Sequence, residues 1–444
     1  MRAFISSAVL LSAWMTFDLP RDTALAQSRP VTERPTSGAT RNPPRRTPPP
    51  RPAADASVAA SPRRTLDRDR FSESVNAAMQ SKVMGYSFVL IGRGQLVAEG
   101  AGGLARNDAD GRMAMTTRTP QNLGSLFKFV TGTTLLHMMD AKTPGSAAGS
   151  NSLDQLLGAE IAFLFPQIWQ SAIGNQGIRK IEFRQLMQHR SGLRDCGSVM
   201  SCLQNGFQQA NFDKRDYQNI NFTLMGYLLP LFEQPSIINP LNGMLAAMKS
   251  GDKDKRLRDD LGGRMDMVIR NRTFAKAPGN ITASCDAANV YKTTGAYGYR
   301  SRTDASNGII TSRIAAGEHC VGAGGYWMSV RDFAAYVATV MSSDRLLSPQ
   351  AKRLMYSEQI EPDDRLIWTS ASENQWIADN FAMPRVAWSN GIQPYDGGQG
   401  FRTVLLRLPL DHYFMLFVNS PDISTNQMFS IGVSAFKDAT EQNF

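Results

Sequence analysis

Runs of β-forming residues stand at both ends of the foldable part of this chain, and helical patterning fills the long stretch between them. Near the N-terminal end, Tyr86 to Ile91 and Gln95 to Glu99 are β-rich and are separated by Gly92-Arg93-Gly94, which reads as a hairpin. Near the C-terminal end, Gly400 to Arg407 and His412 to Asn419 are β-rich and are joined by a short Pro/Asp turn. Residues 150–300 read mostly as helical segments with loops rich in Gly, Asn and Pro. Strands this far apart, without βαβ alternation, predict an antiparallel sheet built from both ends with an all-helical insertion, an α/β protein of the α+β type. Helices should flank the sheet. Phe71, Val75, Met79 and Val83 recur at spacings of four within 67–83. A second helix is expected from about Ser125 to Asp140 and a last one over Gln427 to Thr440. Near Tyr326 a strand should precede a helix begun by the capping pattern Ser329-Val330-Arg331-Asp332. No internal repeat is evident.

The first 66 of the 444 residues look different from the rest. Arg2, the apolar run Ala3 to Phe17 and the Ala24-Leu25-Ala26 site predict a signal peptide over 1–26, hence an exported, periplasmic or secreted chain. The run is short for a membrane span, and Asp18 closes it. Residues 27–66 hold nine of the 23 prolines and eight arginines, too little apolar matter to offset the entropy of folding. They should form an extended tether that reaches solvent or touches anionic envelope polymers. Most of the +9 formal charge sits there, eight Arg against Glu33 and Asp55, so the domain expected over 67–444 is close to neutral. A nucleic-acid partner is therefore not implied. The four cysteines Cys196, Cys202, Cys285 and Cys320 lack metal spacing. In an exported chain their even number favours disulfides. Of three possible pairings, Cys196–Cys202 with Cys285–Cys320 is expected, because each closes a local loop.

Ser125-Leu126-Phe127-Lys128 is an SxxK motif, which on a helix sets hydroxyl and ammonium on one face a turn apart. A hydroxyl at a helix N-terminus also sits at the positive end of the dipole. A lysine in an apolar site gives up its proton more readily and can help to deprotonate a serine. The motif occurs twice more, at Ser250-Gly251-Asp252-Lys253 and Ser434-Ala435-Phe436-Lys437, but only Ser125 is flanked by Leu123, Phe127, Phe129 and Val130. Downstream, Tyr217-Gln218-Asn219 precedes the apolar stretch Phe222 to Leu229. A phenol beside a cation ionises more easily, so Tyr217 could act as base to the serine and then as acid to the leaving group. Asn219 could bond both the lysine and a substrate amide. Ser372-Glu373-Asn374 is a rival to this element, placed close to the C-terminal strands. No GxSxG elbow is present, against an α/β-hydrolase triad.

With these elements in order, the chain resembles the serine β-lactamase-related superfamily, in the branch of class C β-lactamases, D-alanyl-D-alanine peptidases and family VIII-type esterases. The order SxxK then YxN, about ninety residues apart, is similar to that branch. So are the segment Ile181 to Asp195, with its HRSGL core, and Gly324 to Asp332. The similarity covers about residues 70–440. It implies a β-lactamase/transpeptidase-like fold, acyl transfer to Ser125 with Lys128 and Tyr217, no cofactor and no metal, and a structural rather than catalytic His189. The family's third motif, a KTG or HxG on the strand lining the site, is best matched by Tyr395-Asp396-Gly397-Gly398-Gln399-Gly400-Phe401. Asp396 then stands where relatives carry a cation. Gly398 lets the backbone approach closely, the N–H of Gln399 completes an oxyanion hole with that of Ser125, and Arg402 lies further along the strand. The resemblance implies an exported serine hydrolase acting on an ester, an amide or a peptidoglycan-stem peptide. A class C-type β-lactamase and a non-catalytic peptidoglycan-binding or penicillin-sensing domain are the alternatives.

Overall fold

The computed structural model describes residues 66–143, 150–249, 251–311, 321–356, 366–367 and 387–440, all of them within the compact unit Arg63–Phe444. The signal-like segment, the tether up to residue 65, Ser250, Cys320 and the Ser372-Glu373-Asn374 element lie outside the described residues.

Six strands form the main sheet: β1 Gly85–Gly92, β2 Gln95–Arg106, β3 Met113–Ala114, β9 Ala387–Pro394, β10 Gly400–Leu408 and β11 His412–Val418, in the order β3-β2-β1-β11-β10-β9. The two ends of the chain meet between β1 and β11, which pair antiparallel with Phe88 opposite Leu416. The hairpin expected at Gly92-Arg93-Gly94 forms. Arg93 and Gly94 both have positive φ, 49° and 77°, the tight turn whose twist suits two paired strands. β1 is buried along its whole length because it is covered on both faces. Tyr86, Phe88 and Leu90 pack with Val404, Leu406 and Leu416 under helices α1 Arg68–Met79 and α13 Thr425–Thr440. Val89 and Ile91 point the other way, into the larger helical core. In α1, Phe71, Val75 and Met79 are fully buried, as their spacing predicts. The helix stops short of Val83, since Ser81 takes a left-handed conformation (φ 62°) and turns the chain into β1.

The other face carries the helical region. Two small sheets lie within it: β4 Gln121–Asn122 with β8 Trp327–Met328 and β7 Ala283–Ser284, and β5 Ser191–Leu193 with β6 Phe207–Phe212. Helix α2 Phe127–Ala141 is buried on nearly every side. It is packed by α7 Asn219–Glu233 and α9 Lys253–Arg272, and α11 Val330–Ser342 lies across β1 and β11. The expected cap of α11 is present: Ser329 Oγ accepts from Asp332 N at 3.0 Å. The shorter helices α3 Ser150–Leu157, α4 Gln167–Ala172, α5 Phe183–Met187, α6 Val199–Asn205, α8 Ile238–Ala247 and α10 Ala287–Val290 fill the middle of the chain, and α12 Pro349–Tyr356 follows α11. α9 is the most highly charged element, yet it crosses the core. Its Asp254 is only 3% exposed and is satisfied by Arg258 Nε at 2.9 Å and by Trp169 Nε1 at 2.8 Å. No helix among the described residues is long and apolar enough to cross a membrane.

Candidate active site

Ser125 sits in a single 3-10 turn, Gly124–Leu126, that runs into α2. The turn is pinned by three hydrogen bonds. Asn122 Oδ1 accepts from Gly124 N at 2.8 Å, Tyr326 O accepts from Leu123 N at 2.9 Å, and Thr403 Oγ1 donates to Leu123 O at 2.7 Å. Below it, the rings of Phe127 and Tyr326 stack 3.9 Å apart at 7°. Such a pair adds about 0.5–1.5 kcal/mol beyond its burial. Gly124 has φ 54°, and a Cβ there would lie 2.9 Å from the backbone N of Ile392. A Cβ on Gly391 would meet Leu123 O at 1.9 Å. Two glycines thus let β9 run directly against the serine turn.

The SxxK spacing brings Lys128 Nζ to 2.8 Å from Ser125 Oγ. Lys128 is 5% exposed, and its Nζ also donates to Asn219 Oδ1 at 2.8 Å and Ala323 O at 2.9 Å. Three acceptors match the three hydrogens of an ammonium ion. Tyr217 Oη lies 2.9 Å from Ser125 Oγ, and the Lys128 ammonium stands 5.1 Å from the centre of the Tyr217 ring. Tyr217, Asn219 and Lys128 therefore converge on Ser125 from a loop, the first turn of α7 and the first turn of α2. His189 lies behind them. Its ring stacks on that of Tyr217 at 4.5 Å, and its Nδ1 is turned to Gln218. Burial, then the charges of Lys128 and Arg215, hold its pKa well below the usual histidine range, so it is a neutral ring that backs the tyrosine.

Asp195 is a residue that sequence reasoning did not single out. The residue before α7, Gln218, gives no side-chain cap. Asp195 supplies one from a distant loop: Oδ2 accepts from Asn219 N at 3.1 Å and from Asn219 Nδ2 at 3.4 Å, and Oδ1 accepts from Ile220 N at 2.7 Å. A carboxylate at a helix start satisfies donors that the helix leaves open. Here it also fixes the Asn219 amide so that Oδ1 faces Lys128. The available signal was its position at the end of the HRSGL segment.

Beside Ser125 opens a cavity of about 350 Å³. Val199, Ile220, Val321, Ile392 and Pro394 make its wall largely apolar, with Asn219 and Asp195 among its polar groups.

The third motif lies elsewhere than expected. Asp396 and Gly398 are exposed in the turn between β9 and β10, where Tyr395 N donates to Gln399 O at 2.9 Å; neither they nor Gln399 line the cavity. The strand at the serine is β9, so Ser389-Asn390-Gly391-Ile392 holds the position assigned to Asp396-Gly397-Gly398-Gln399. Arg402 also points away. It alternates with Thr403, which reaches Leu123, and so faces the side of Val404 and Leu406 under α13. Of the rival motifs, Ser434 is exposed on α13, across the sheet from Ser125. Cys196 and Cys202 are free thiols rather than a disulfide. Cys285 carries no free thiol, and its expected partner Cys320 lies outside the described residues. No group of three or more metal-ligating side chains occurs among the described residues.

Residues 69–230 match the family model described as Beta-lactamase. Solved structures with the same fold include the octameric penicillin-binding protein homologue from Pyrococcus abyssi, at TM-score 0.58 and 13% identity over 85% of this chain and 78% of that one. FmtA from Staphylococcus aureus aligns at TM-score 0.57 and 14% identity, covering 85% and 93%. A class C β-lactamase from Rhodobacter sphaeroides aligns at TM-score 0.53 and 13% identity, covering 83% and 98%. No curated protein matches the chain in sequence. The chain thus has a β-lactamase/transpeptidase-like fold, and its segment 69–230 matches the Beta-lactamase family model.

Proposed function

We propose that the chain is an exported serine hydrolase that forms an acyl-enzyme at Ser125 and acts on an ester or amide, esterase-like or D-alanyl-D-alanine peptidase-like, with neutral esters preferred. The observation that carries this reading is the placement of Lys128 Nζ at 2.8 Å and Tyr217 Oη at 2.9 Å from one serine oxygen beside an apolar cavity. In this reading Tyr217 is the general base: as Ser125 Oγ attacks a carbonyl carbon, its proton passes to the phenolate form of Tyr217. The carbonyl π pair moves onto oxygen. There the N–H groups of Ser125 and Ile392, on the two backbones that Gly124 and Gly391 bring together, supply the stabilising dipoles. Collapse expels the leaving group, which takes the proton from Tyr217. Water then adds to the acyl carbon by the same path and frees Ser125.

The preference for neutral substrates rests on charge. Lys128 is the one cation at the serine among the described residues, and its three donors are already taken; Asp195 adds a negative charge at the cavity wall. A substrate carboxylate meets no free cation there. A class C-type β-lactamase is the second reading, supported by the relatives of that description that share the fold.

The test is a fluorophosphonate probe on purified protein, followed by p-nitrophenyl esters, nitrocefin and a D-Ala-D-Ala peptide. Ser125→Ala should lose all labelling, and Ser434→Ala should keep it. Esters should be turned over faster than nitrocefin. Labelling that persists in Ser125→Ala refutes the nucleophile. Nitrocefin turnover above that of every ester favours the β-lactamase. A wild type that no acylating probe labels is a binding or sensing module.

A further inference from the structure

Two thiols that the acylation chemistry does not use stand in the wall of the cavity. Cys196 and Cys202 both line it, the first from the loop before α6 and the second from α6 itself. Cys202 is 2% exposed and Cys196 is partly open. The two are neighbours: a Cβ built on Gly206 would lie 2.6 Å from Cys196 Sγ and 3.0 Å from Cys202 Cα, and Cys196 Sγ donates to Arg194 O at 2.9 Å. The glycine makes room for this arrangement. Two free thiols on neighbouring backbone in one cavity wall are placed to form a disulfide.

The two ends of the pair differ in stiffness. Cys202 belongs to α6, where its N donates to Ser198 O at 3.0 Å and its O accepts from Gly206 N at 2.8 Å. Cys196 belongs to the loop before it, next to Gly197 at φ 82°. Contraction to the ~2.05 Å of an S–S bond must therefore move Cys196. The residue bonded to Cys196 is Asp195, whose carboxylate holds Asn219 and Ile220 at the start of α7. Asn219 in turn orients Lys128 at 2.8 Å. A displacement of one sulfur is thus two links from the groups around Ser125.

We infer that Cys196 and Cys202 form a reversible dithiol–disulfide couple that slows acylation at Ser125 when oxidised. The inference rests on the acyl-enzyme reading above. The oxidant is a low-molecular-weight disulfide, RSSR, of the kind an exported chain meets. Cys196, the more open thiol, attacks as thiolate; the R–S–S–R bond breaks, one RS leaves with a proton as RSH, and a mixed disulfide remains. Cys202 then attacks the Cys196 sulfur, its proton passing to the second RSH that departs. Two thiols lose two electrons and two protons to RSSR. This order agrees with burial, which pushes the Cys202 thiol up and leaves it the poorer first nucleophile.

The experiment compares the full chain equilibrated with oxidised glutathione or with dithiothreitol, reading the rate of fluorophosphonate labelling at Ser125 and the mass of the peptide spanning 196–202. The oxidised chain should label at least about tenfold more slowly, with that peptide two hydrogens lighter, and dithiothreitol should restore the rate. Cys196→Ser and Cys202→Ala should each label at one rate in both buffers, whatever that rate is; the first changes only the partly open thiol, so it guards against a folding defect in the second. A peptide that never becomes lighter at any glutathione ratio, or a chain that forms the bond and labels equally fast, overturns the inference. A chain that labels in neither buffer overturns the acyl-enzyme reading, and this coupling with it.

Discussion

Ser125 Oγ has two hydrogen-bonding neighbours, and their surroundings give them different work. Lys128 is nearly buried, with all its donors used inside the protein. Tyr217 is 48% exposed and has room for its oxygen to exchange a proton with serine, substrate or water. Proton transfer by a positioned side chain contributes ~10²–10⁴-fold. Tyr217→Phe should therefore lower kcat/KM on a short p-nitrophenyl ester by about that range, with the loss in kcat rather than in KM. The exposed ring carries little of the core, so thermal stability should stay within about 0.5 kcal/mol of wild type. A variant that keeps more than a third of wild-type kcat removes Tyr217 from proton transfer. The residues of this cluster were legible because each motif fixes its own spacing: SxxK sets a helical turn, and YxN precedes an apolar helix. Asp195 was not legible, because a cap given from a loop 24 positions upstream leaves no local pattern.

At the scale of elements, the two hairpins and the covering helices could be read from patterning, whereas β9 could not. Ser389, Asn390, Gly391 and Pro394 are poor strand formers, and β9 forms because it is an edge strand held by β10 and by the serine turn. The glycine-rich turn after it drew the third motif seven residues too far along. Packing likewise overrode pattern in α9. The helix looks like a solvated surface helix from its charges, and Arg264–Asp260 and Arg270–Asp266 do form i,i+4 pairs. Yet Asp254 and Arg258 are 3% and 10% exposed and tie the helix to Trp169. Removing one partner of a buried pair leaves the other charge uncompensated and costs ~3–5 kcal/mol. Asp254→Ala should lower the unfolding free energy by about that much in urea titration. The exposed pair Lys255–Asp259, one residue along, should be worth under about 0.5 kcal/mol by the same measure. Equal losses for Asp254→Ala and Asp259→Ala would mean that burial does not distinguish them.

At the scale of the whole molecule, the described histidines share one electrostatic setting. His137, His189 and His412, three of the four in the chain, are each held below the ordinary histidine range, first of all by burial. A base whose folded pKa is depressed binds its proton more readily in the unfolded chain. Folding stability is then unaffected above the unfolded value of about 6.5 and falls as the pH drops below it, until the folded pKa is passed. Each such group contributes a slope of up to ~1.4 kcal/mol per pH unit in that window. His189 has the largest depression, because the Lys128 and Arg215 charges add to its burial. The unfolding free energy of the wild type should therefore fall between pH 6.5 and pH 5, and His189→Asn should flatten that slope by up to about 1 kcal/mol per unit while lowering stability at pH 7.5. Urea titrations of both proteins at half-unit intervals measure the two slopes. Parallel curves would show that His189 takes up no proton on unfolding, and would end the argument that a neutral imidazole supports Tyr217. A convergence of the curves on the acid side would tie the acid limit of this fold to the ring that stands behind its serine.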